Sequence, residues 1–167
     1  MKWIVFSDSH GTARNMEKVL DMHFDTADGF LFLGDGYREF RHLADCYPGR
    51  TYLCVRGNCD PAEADAPPLE ELADIGGVRI MLTHGHRYQV KSGTEMLVSA
   101  ARARRADIVL YGHTHEPFQQ YLPPEGEGEQ PLYVFCPGSI TLPRIGRPAY
   151  GILEIRRNGI LLTNAEI

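Results

Sequence analysis

The chain has 167 residues, 43% of them hydrophobic and 23% charged, and a formal net charge of −5. That length and balance suit one globular domain, here 1–167, able to bury a core without disulfides or structural metal, and no apolar run approaches the roughly 20 residues that cross a bilayer. A general nucleic-acid binder is disfavoured too, because such proteins carry a basic surplus or stripe.

In chain order, apolar runs alternate with amphipathic stretches, the pattern of strands and helices taking turns. A strand is predicted at 3–6; the apolar start meets Ser7 and Asp8 too soon to be a secretory signal, so the cytoplasm is the expected location. Thr12 is placed to cap a helix whose residues Ala13, Met16, Val19, Leu20 and Phe24 recur near helical spacing. A strand at 30–33, a helix at about 38–46 stopped by Tyr47-Pro48-Gly49, and a strand at 52–55 follow. Cys46, Cys54, Cys59 and Cys136 lack Cys-x-x-Cys spacing and read as reduced thiols. The stretch 61–68, rich in Ala, Pro and acid, is a surface excursion. Strands at 69–75 and 78–83 flank Gly76-Gly77, a pair that two-residue hairpins favour. A helix at 94–105 carries Met96, Leu97, Ala100 and Ala101 on one side, and its terminal arginines complement the helix dipole. It leads into a strand at 108–111. Strands at 118–122, 132–136, 150–155 and 160–163 are then joined by turns, with Asn158-Gly159 a hairpin signal and 123–131 a mobile acidic hairpin loop. The expected class is α/β, mainly parallel first and antiparallel in the C-terminal part.

Five apolar strands end in short loops of one character: Ser7-Asp8-Ser9-His10-Gly11, Gly34-Asp35-Gly36, Gly57-Asn58-Cys59-Asp60, His84-Gly85-His86 and Gly112-His113-Thr114-His115. In open α/β sheets ligands collect outside the carboxyl ends of strands, where glycine allows the tight turn and the close backbone approach, so the loops should converge. What converges is two aspartates, an asparagine amide and several imidazoles, with no necessary thiolate. Such donors suit Mn²⁺, Fe, Zn²⁺ or Ni²⁺, and they are too many for one ion with open positions. Two ions sharing a bridging carboxylate is the economical reading.

At these residues the sequence resembles the calcineurin-like metallophosphoesterases, in particular their small bacterial and archaeal phosphodiesterase branch. Asp8-x-His10, Gly34-Asp35, Gly57-Asn58-Cys59-Asp60, His84-Gly85-His86, Gly112-His113-x-His115 and Pro137-Gly138-Ser139 follow that branch's motifs in order. The resemblance implies a layered β-sandwich flanked by helices and two divalent ions, manganese ahead of iron, zinc or nickel. It also implies that Asp8, His10 and His115 hold one ion, that Asn58, His84 and His113 hold the other, and that Asp35 bridges them. The implied activity is hydrolysis of phosphate esters, diesters above all, by in-line attack of a hydroxide bridging the two ions, with Asn58 also orienting a phosphate oxygen. Cys59 stands where many broader members have a histidine that protonates the leaving oxygen, which leaves His10 and His86 as candidate acids. Arg14, Arg87 and Arg144 are candidate phosphate clamps that also suit a plain surface role. The alternative is a protein-binding scaffold of the same fold, as in the retromer subunit of related sequence, where the metal ligands have been replaced. The expected partner is a phosphate-ester substrate, with no membrane and no nucleic acid beyond a short oligonucleotide. Apolar strands in the C-terminal half are compatible with a homo-oligomer.

Overall fold

The computed structural model describes residues 1–124, 126 and 128–167; Glu125 and Glu127 of the acidic 123–131 loop lie outside the described residues. In chain order the elements are β1 (Lys2–Phe6), α1 (Arg14–His23), β2 (Gly29–Phe32), α2 (Tyr37–Cys46), β3 (Thr51–Cys54), β4 (Glu70–Ile75), β5 (Val78–Thr83), a 3-10 turn at His86–Tyr88, α3 (Glu95–Ala103), β6 (Ile108–Leu110), β7 (Pro117–Leu122), β8 (Leu132–Pro137), β9 (Ala149–Arg156) and β10 (Gly159–Glu166). They form two five-stranded sheets, ordered β10-β9-β1-β2-β3 and β4-β5-β6-β8-β7.

Strand periodicity sorts the core into layers. Successive side chains of a strand point to opposite faces. Val5, Leu31 and Leu33 of the first sheet accordingly meet Ile80, Leu82, Ile108, Leu110 and Phe135 of the second in a buried cluster between the sheets. Their neighbours Ile4, Phe6, Phe30 and Phe32 point the other way, onto Met16, Val19 and Leu20 of α1 and Tyr37, Phe40 and Leu43 of α2. On the outer side of the second sheet, Met81, Val109 and Val134 pack against Leu97 and Ala101 of α3. The result is a sandwich of two sheets with helices on both outer faces. The N-cap position of α1 is Ala13, with no side-chain cap, so Thr12 does not play the capping part its sequence position suggested.

The topology aims strand ends at one place. β1, β2 and β3 are parallel neighbours in one sheet, and β5, β6 and β8 are parallel neighbours in the other. β8 thus joins the parallel trio although it lies in the C-terminal part, while the β4–β5, β7–β8 and β9–β10 pairs are the antiparallel hairpins their turn signals predict. Both trios discharge their carboxyl ends into the same group of loops, which are stitched together by Asp8 N–H to Gly34 O (3.0 Å), His10 N–H to Asp35 O (3.0 Å), Gly112 N–H to His84 O (3.2 Å) and Ile140 N–H to Ser7 O (3.0 Å).

Candidate metal centre

The loops hold their functional residues in an unusual backbone state. Among the described residues, seven other than glycine have φ in the left-handed region, and five of them are Asp8 (58°), His10 (47°), Asp35 (59°), His113 (70°) and His115 (60°). Such a conformation costs about 1–3 kcal/mol at a residue with a Cβ, and persists only where the surroundings over-determine it. Asp60 supplies part of that restraint: its carboxylate accepts the N–H groups of Asp35, Gly36 and Gly57 at 2.7 Å and of Tyr37 at 3.2 Å. Two glycines supply the room. A Cβ on Gly57 would overlap the Asp35 carboxylate, and one on Gly112 would overlap the Ser7 hydroxyl.

At the centre lies Asp8, fully buried. Its Oδ2 accepts from Ser7 Oγ at 2.6 Å and from His113 N–H at 3.0 Å. Its Oδ1 is buried with no hydrogen-bond partner. Facing that oxygen are His115 Nε2 at 3.2 Å, His10 Nε2 at 3.8 Å and His84 Nε2 at 3.9 Å. His115 Nδ1 sits 2.7 Å from Leu142 O and His84 Nδ1 2.7 Å from Leu33 O. A carbonyl oxygen only accepts, so each Nδ1 carries the proton, and each neutral ring presents a bare Nε2 to the carboxylates. The remaining approaches are of the same kind: His10 Nε2 to His115 Nε2 at 3.1 Å, His113 Nδ1 to His84 Nε2 at 3.2 Å, and His84 Nε2 to Asp35 Oδ2 at 3.3 Å. Converging lone pairs repel unless a proton or a cation stands among them. The donor set therefore fits divalent metal: ligand atoms of Asp8, His10 and His115 lie within 4.8 Å of one another, as do those of Asp35, His84 and His113 and those of His10, Asp35 and Cys59.

The electrostatics follow from this crowding. Burial works against charge on Asp35, but the hydrogen bond and charge of His84 and the Cys59 N–H outweigh it and hold the carboxyl well below the usual range. Burial also opposes charge on His84, yet Asp35 and Asp8 prevail and raise it; Asp8 raises His115 against its burial. His113 goes the other way, lowered to about 4 by burial, then by the charges of His84 and Lys91. Burial and His84 lower His86. Desolvation and the neighbouring Asp35 push the Cys59 thiol up to about 11.

Six of the residues the sequence singled out thus stand together: Asp8, His10, Asp35, His84, His113 and His115. Asn58 is exposed beside them, its amide donating to Cys59 Sγ at 3.2 Å. His86 starts the 3-10 turn, its ring 5.5 Å from that of His84 and 6.1 Å from that of His113. Arg87 is tied to Glu70, Arg14 is exposed on α1, and Arg144 donates its backbone N–H to His115 O at 3.2 Å. Residue types alone did not assign parts to the groups that orient the cluster: Ser7, Asp60, Ser139 and the Leu142 carbonyl. Ser139 Oγ donates to Asp8 O at 2.8 Å and accepts from Thr141 N–H at 3.2 Å and Leu142 N–H at 2.7 Å, so one buried hydroxyl positions both Asp8 and the carbonyl that holds His115. The Pro137-Gly138-Ser139 motif was the available signal.

Two clefts flank the cluster. One, about 300 Å³, has His10, Asp35 and Cys59 in its wall. The other, about 320 Å³, shares Thr114 of the His113–His115 loop.

Residues 1–158 match the family model of the calcineurin-like phosphoesterase superfamily domain. The phosphodiesterase YfcE of Escherichia coli (strain K12) is 32% identical, the match covering 92% of this chain and 88% of YfcE. Among solved structures, a Streptococcus pneumoniae protein described as a predicted phosphoesterase superposes with a TM-score of 0.74 at 26% identity, covering 98% of this chain and 97% of that one. A Vps29 variant from Entamoeba histolytica superposes with a TM-score of 0.70 at 23% identity over 100% of this chain and 99% of its own, a likeness of fold.

Proposed function

The chain belongs to the calcineurin-like phosphoesterase superfamily, and on that premise we propose that it is a metal-dependent hydrolase of phosphate esters, with diesters its preferred substrates. The observation that carries the reading is the buried, unpartnered Oδ1 of Asp8 facing three imidazole nitrogens, a carboxylate and a set of lone pairs that a cation satisfies together. Asp8, His10 and His115 would hold one cation, and Asn58, His84 and His113 a second. Asp35 suits the place between them, because its carboxylate lies within reach of His10 on one side and of His84 and His113 on the other. Divalent cations there, manganese foremost, would supply Lewis acidity toward phosphate oxygens and acidify the attacking water.

The protein's own part is preorganisation. Leu33 O and Leu142 O fix the rings of His84 and His115, so their Nε2 lone pairs are aimed before any ligand arrives. Asn58, exposed at the rim, is placed to donate to a phosphate oxygen. His10 belongs to the cation-holding set, His86 is uncharged at neutral pH and has no imidazolium proton, and the Cys59 thiol, raised to about 11, is too weak an acid to protonate a phenolate, so an aryl leaving oxygen departs without a protein proton. The two clefts support the diester preference, since each of the two ester arms has a place to lie. Free thiols at Cys46, Cys54, Cys59 and Cys136 suit a reducing cytoplasm, and no described helix is long and apolar enough to cross a membrane.

The test uses metal-stripped protein with an aryl phosphodiester and an aryl phosphomonoester, with and without Mn²⁺, beside Asp35→Asn. Turnover that depends on added metal, falls in Asp35→Asn and favours the diester is expected. Turnover that needs neither metal nor Asp35 overturns the reading; a scaffold role, the same fold's other use, predicts no turnover in any arm.

A further inference from the structure

Among the described residues four strands are sheet edges: β10 and β3 in the first sheet, β4 and β7 in the second. An edge offers unpaired N–H and C=O groups to another strand, and proteins blunt it with charge, cover or proline. β4 carries Glu70, Glu71 and Asp74. Beside β3 the 61–68 excursion returns, with Ala66 packed on the same buried cluster as Tyr52 and Cys54 and Arg56 N–H bonded to Pro68 O at 2.9 Å. On β10 the outward groups belong to Ile160, Leu162 and Asn164, because Ile155 N–H bonds to Met1 O and alternation turns Ile152 and Glu154 toward β10. Leu162 is 3% exposed, and the Asn164 amide donates to Cys136 O of the other sheet at 3.0 Å.

β7 is different: Pro117-Phe118-Gln119-Gln120-Tyr121-Leu122 holds no charge, and all but Leu122 are exposed. Tyr133 N–H bonds to Asp107 O at 2.9 Å and Phe135 O accepts Tyr111 N–H at 3.0 Å, so the odd residues of β8 face β6 and its even residues face β7. Phe118, Gln120 and Leu122, opposite Cys136, Val134 and Leu132, therefore complete the ladder to β8, and Gln119 and Tyr121 aim their N–H and C=O groups outward. Pro117 on that outward side, and Pro123 just past the strand, have no N–H to give.

We propose that β7 is a dimerisation edge: two copies of the chain pair β7 with β7, antiparallel, about a two-fold axis at Gln120, which joins their second sheets into one. In this register Gln119 exchanges both backbone bonds with the partner's Tyr121, and Tyr121 with the partner's Gln119, so every outward N–H of the segment is used. The side chains agree. On the face toward α3, Phe118 stands across from the partner's Leu122 and Gln120 from the partner's Gln120, apolar on apolar and amide on amide; on the other face Gln119 stands across from the partner's Tyr121. Sliding the strands by two residues either way sets Phe118 or Leu122 against the partner's Gln120 and asks Pro117 or Pro123 for an N–H that neither has. The prolines thereby fix the register. Each copy carries a net charge of −5, so an uncharged strand that complements itself is where two copies meet with least repulsion. Phe118 lines the 320 Å³ cleft, and the partner's Leu122 packed on it completes that cleft's outer rim. The dimer stands apart from the hydrolase reading and does not need it.

Sedimentation equilibrium on the full chain tests this. A monomer–dimer equilibrium with a Kd on the order of 1–100 µM is expected, in keeping with a short interface. Gln119→Pro removes an outward N–H that the monomer does not use, and Tyr121→Lys puts charge on the edge; both should be monomeric, and if Gln119→Pro proves unfolded by circular dichroism, Tyr121→Lys decides. Leu161→Lys, which charges β10 instead, should dimerise as the wild type does. The register has its own readout. Two facing Gln120 residues form a non-hydrogen-bonded pair with Cα atoms about 4.5 Å apart, within disulfide range. With oxidised glutathione as the oxidant, Gln120→Cys should therefore give a 120-to-120 cross-linked dimer by peptide mapping, and Gln119→Cys should give no 119-to-119 link. A wild type that stays monomeric at every concentration, a dimer that survives Tyr121→Lys, or one that Leu161→Lys dissolves overturns the β7 interface. A link at 119 in preference to 120 overturns the register.

Discussion

Nε2 of His115 lies 3.2 Å from Oδ1 of Asp8, and with the ring neutral neither atom carries a proton, because His115 Nδ1–H is committed to Leu142 O. The pair is a contact between two acceptors, stable when a cation stands between them. Asp8→Asn separates metal binding from folding. An amide nitrogen in place of Oδ1 can donate to Nε2, while the amide oxygen keeps the bonds from Ser7 and His113. The metal-free variant should melt no lower than the metal-free wild type, the Tm gain on adding Mn²⁺ should disappear, and turnover should fall by at least about 100-fold. A variant that still gains stability from Mn²⁺ would place the cation elsewhere.

Protons compete for the same lone pairs. His84 and His115 have raised pKa values, so metal must displace a proton from each in mildly acid solution, whereas His113, lowered to about 4, is already free. Apparent Mn²⁺ affinity should climb with pH through the raised values of His84 and His115 and flatten beyond them, with proton release approaching two per protein on the acid side, read by calorimetry in buffers of different ionisation enthalpy. Linkage fixes the sign for stability as well. A raised imidazole stabilises the fold fully below its ordinary 6.5, and that contribution is lost as pH rises through the folded value. In metal-free protein, His115→Gln should therefore cost more Tm near pH 5.5 than near pH 9. The opposite order would mean that Asp8 does not hold the imidazolium.

How much of this the sequence carried depends on distance along the chain. Strand positions, the Gly76-Gly77 and Asn158-Gly159 hairpins and the glycine-flanked Asp, Asn and His loops are local signals, written in period and turn chemistry. The parallel pairing of β6 with β8 was not local: 132–137 reads as one arm of a hairpin, and nothing in its alternation says which other strand it will join. For the same reason Ser139 could be noted by motif but not assigned a task, and Leu142 carried no motif signal at all, since both tasks depend on β8 ending beside β6. Asp60 was legible as a motif residue, yet three of the four backbone N–H groups it gathers belong to α2 and the loop before it, far from its own loop in the chain. Thr12 failed as a cap because the N-cap position of α1 falls one residue later, at Ala13, while the Thr12 N–H bonds back to Ser9 O.

Ser139→Ala isolates that long-range support. Its hydroxyl is buried between Asp8 O and the N–H groups of Thr141 and Leu142, so removal leaves three backbone groups short of a partner. A stability loss of about 1–3 kcal/mol by urea denaturation is expected, together with roughly tenfold weaker metal binding as Leu142 O releases its hold on His115. Weakened folding with unaltered metal affinity would confine Ser139 to a structural part.

Gly57 separates room from charge. A Cβ there would overlap the Asp35 carboxylate, while the exposed Asn58 next to it has no such constraint. Gly57→Ala should displace Asp35, lowering metal affinity by about 10- to 100-fold with cooperative unfolding retained. Asn58→Ala should instead fold and melt as the wild type when metal-free and lose turnover on the diester. Equal metal affinity in wild type and Gly57→Ala would show that Asp35 is not held by that close approach.

The last expectation concerns the leaving oxygen. Cys59 occupies the place where a proton donor would stand, and desolvation with the adjacent Asp35 raises its thiol to about 11, so at neutral pH it keeps its proton against a departing phenolate. His86, lowered by burial and by His84, is uncharged there and has no imidazolium proton to give. With no imidazolium available and the thiol a poor acid at neutral pH, negative charge accumulates on the leaving oxygen, and the rate should track how well that oxygen bears it. Across a series of phosphodiesters log kcat should fall steeply with leaving-group pKa, so that aryl esters outpace alkyl esters by orders of magnitude. Cys59→Ser should change turnover by less than about threefold, and His86→Ala should slow aryl and alkyl esters by the same factor, because an acid matters most where the leaving group is poorest. A flat dependence on leaving-group pKa would reveal a general acid, and a selective loss of alkyl-ester turnover in His86→Ala would identify it.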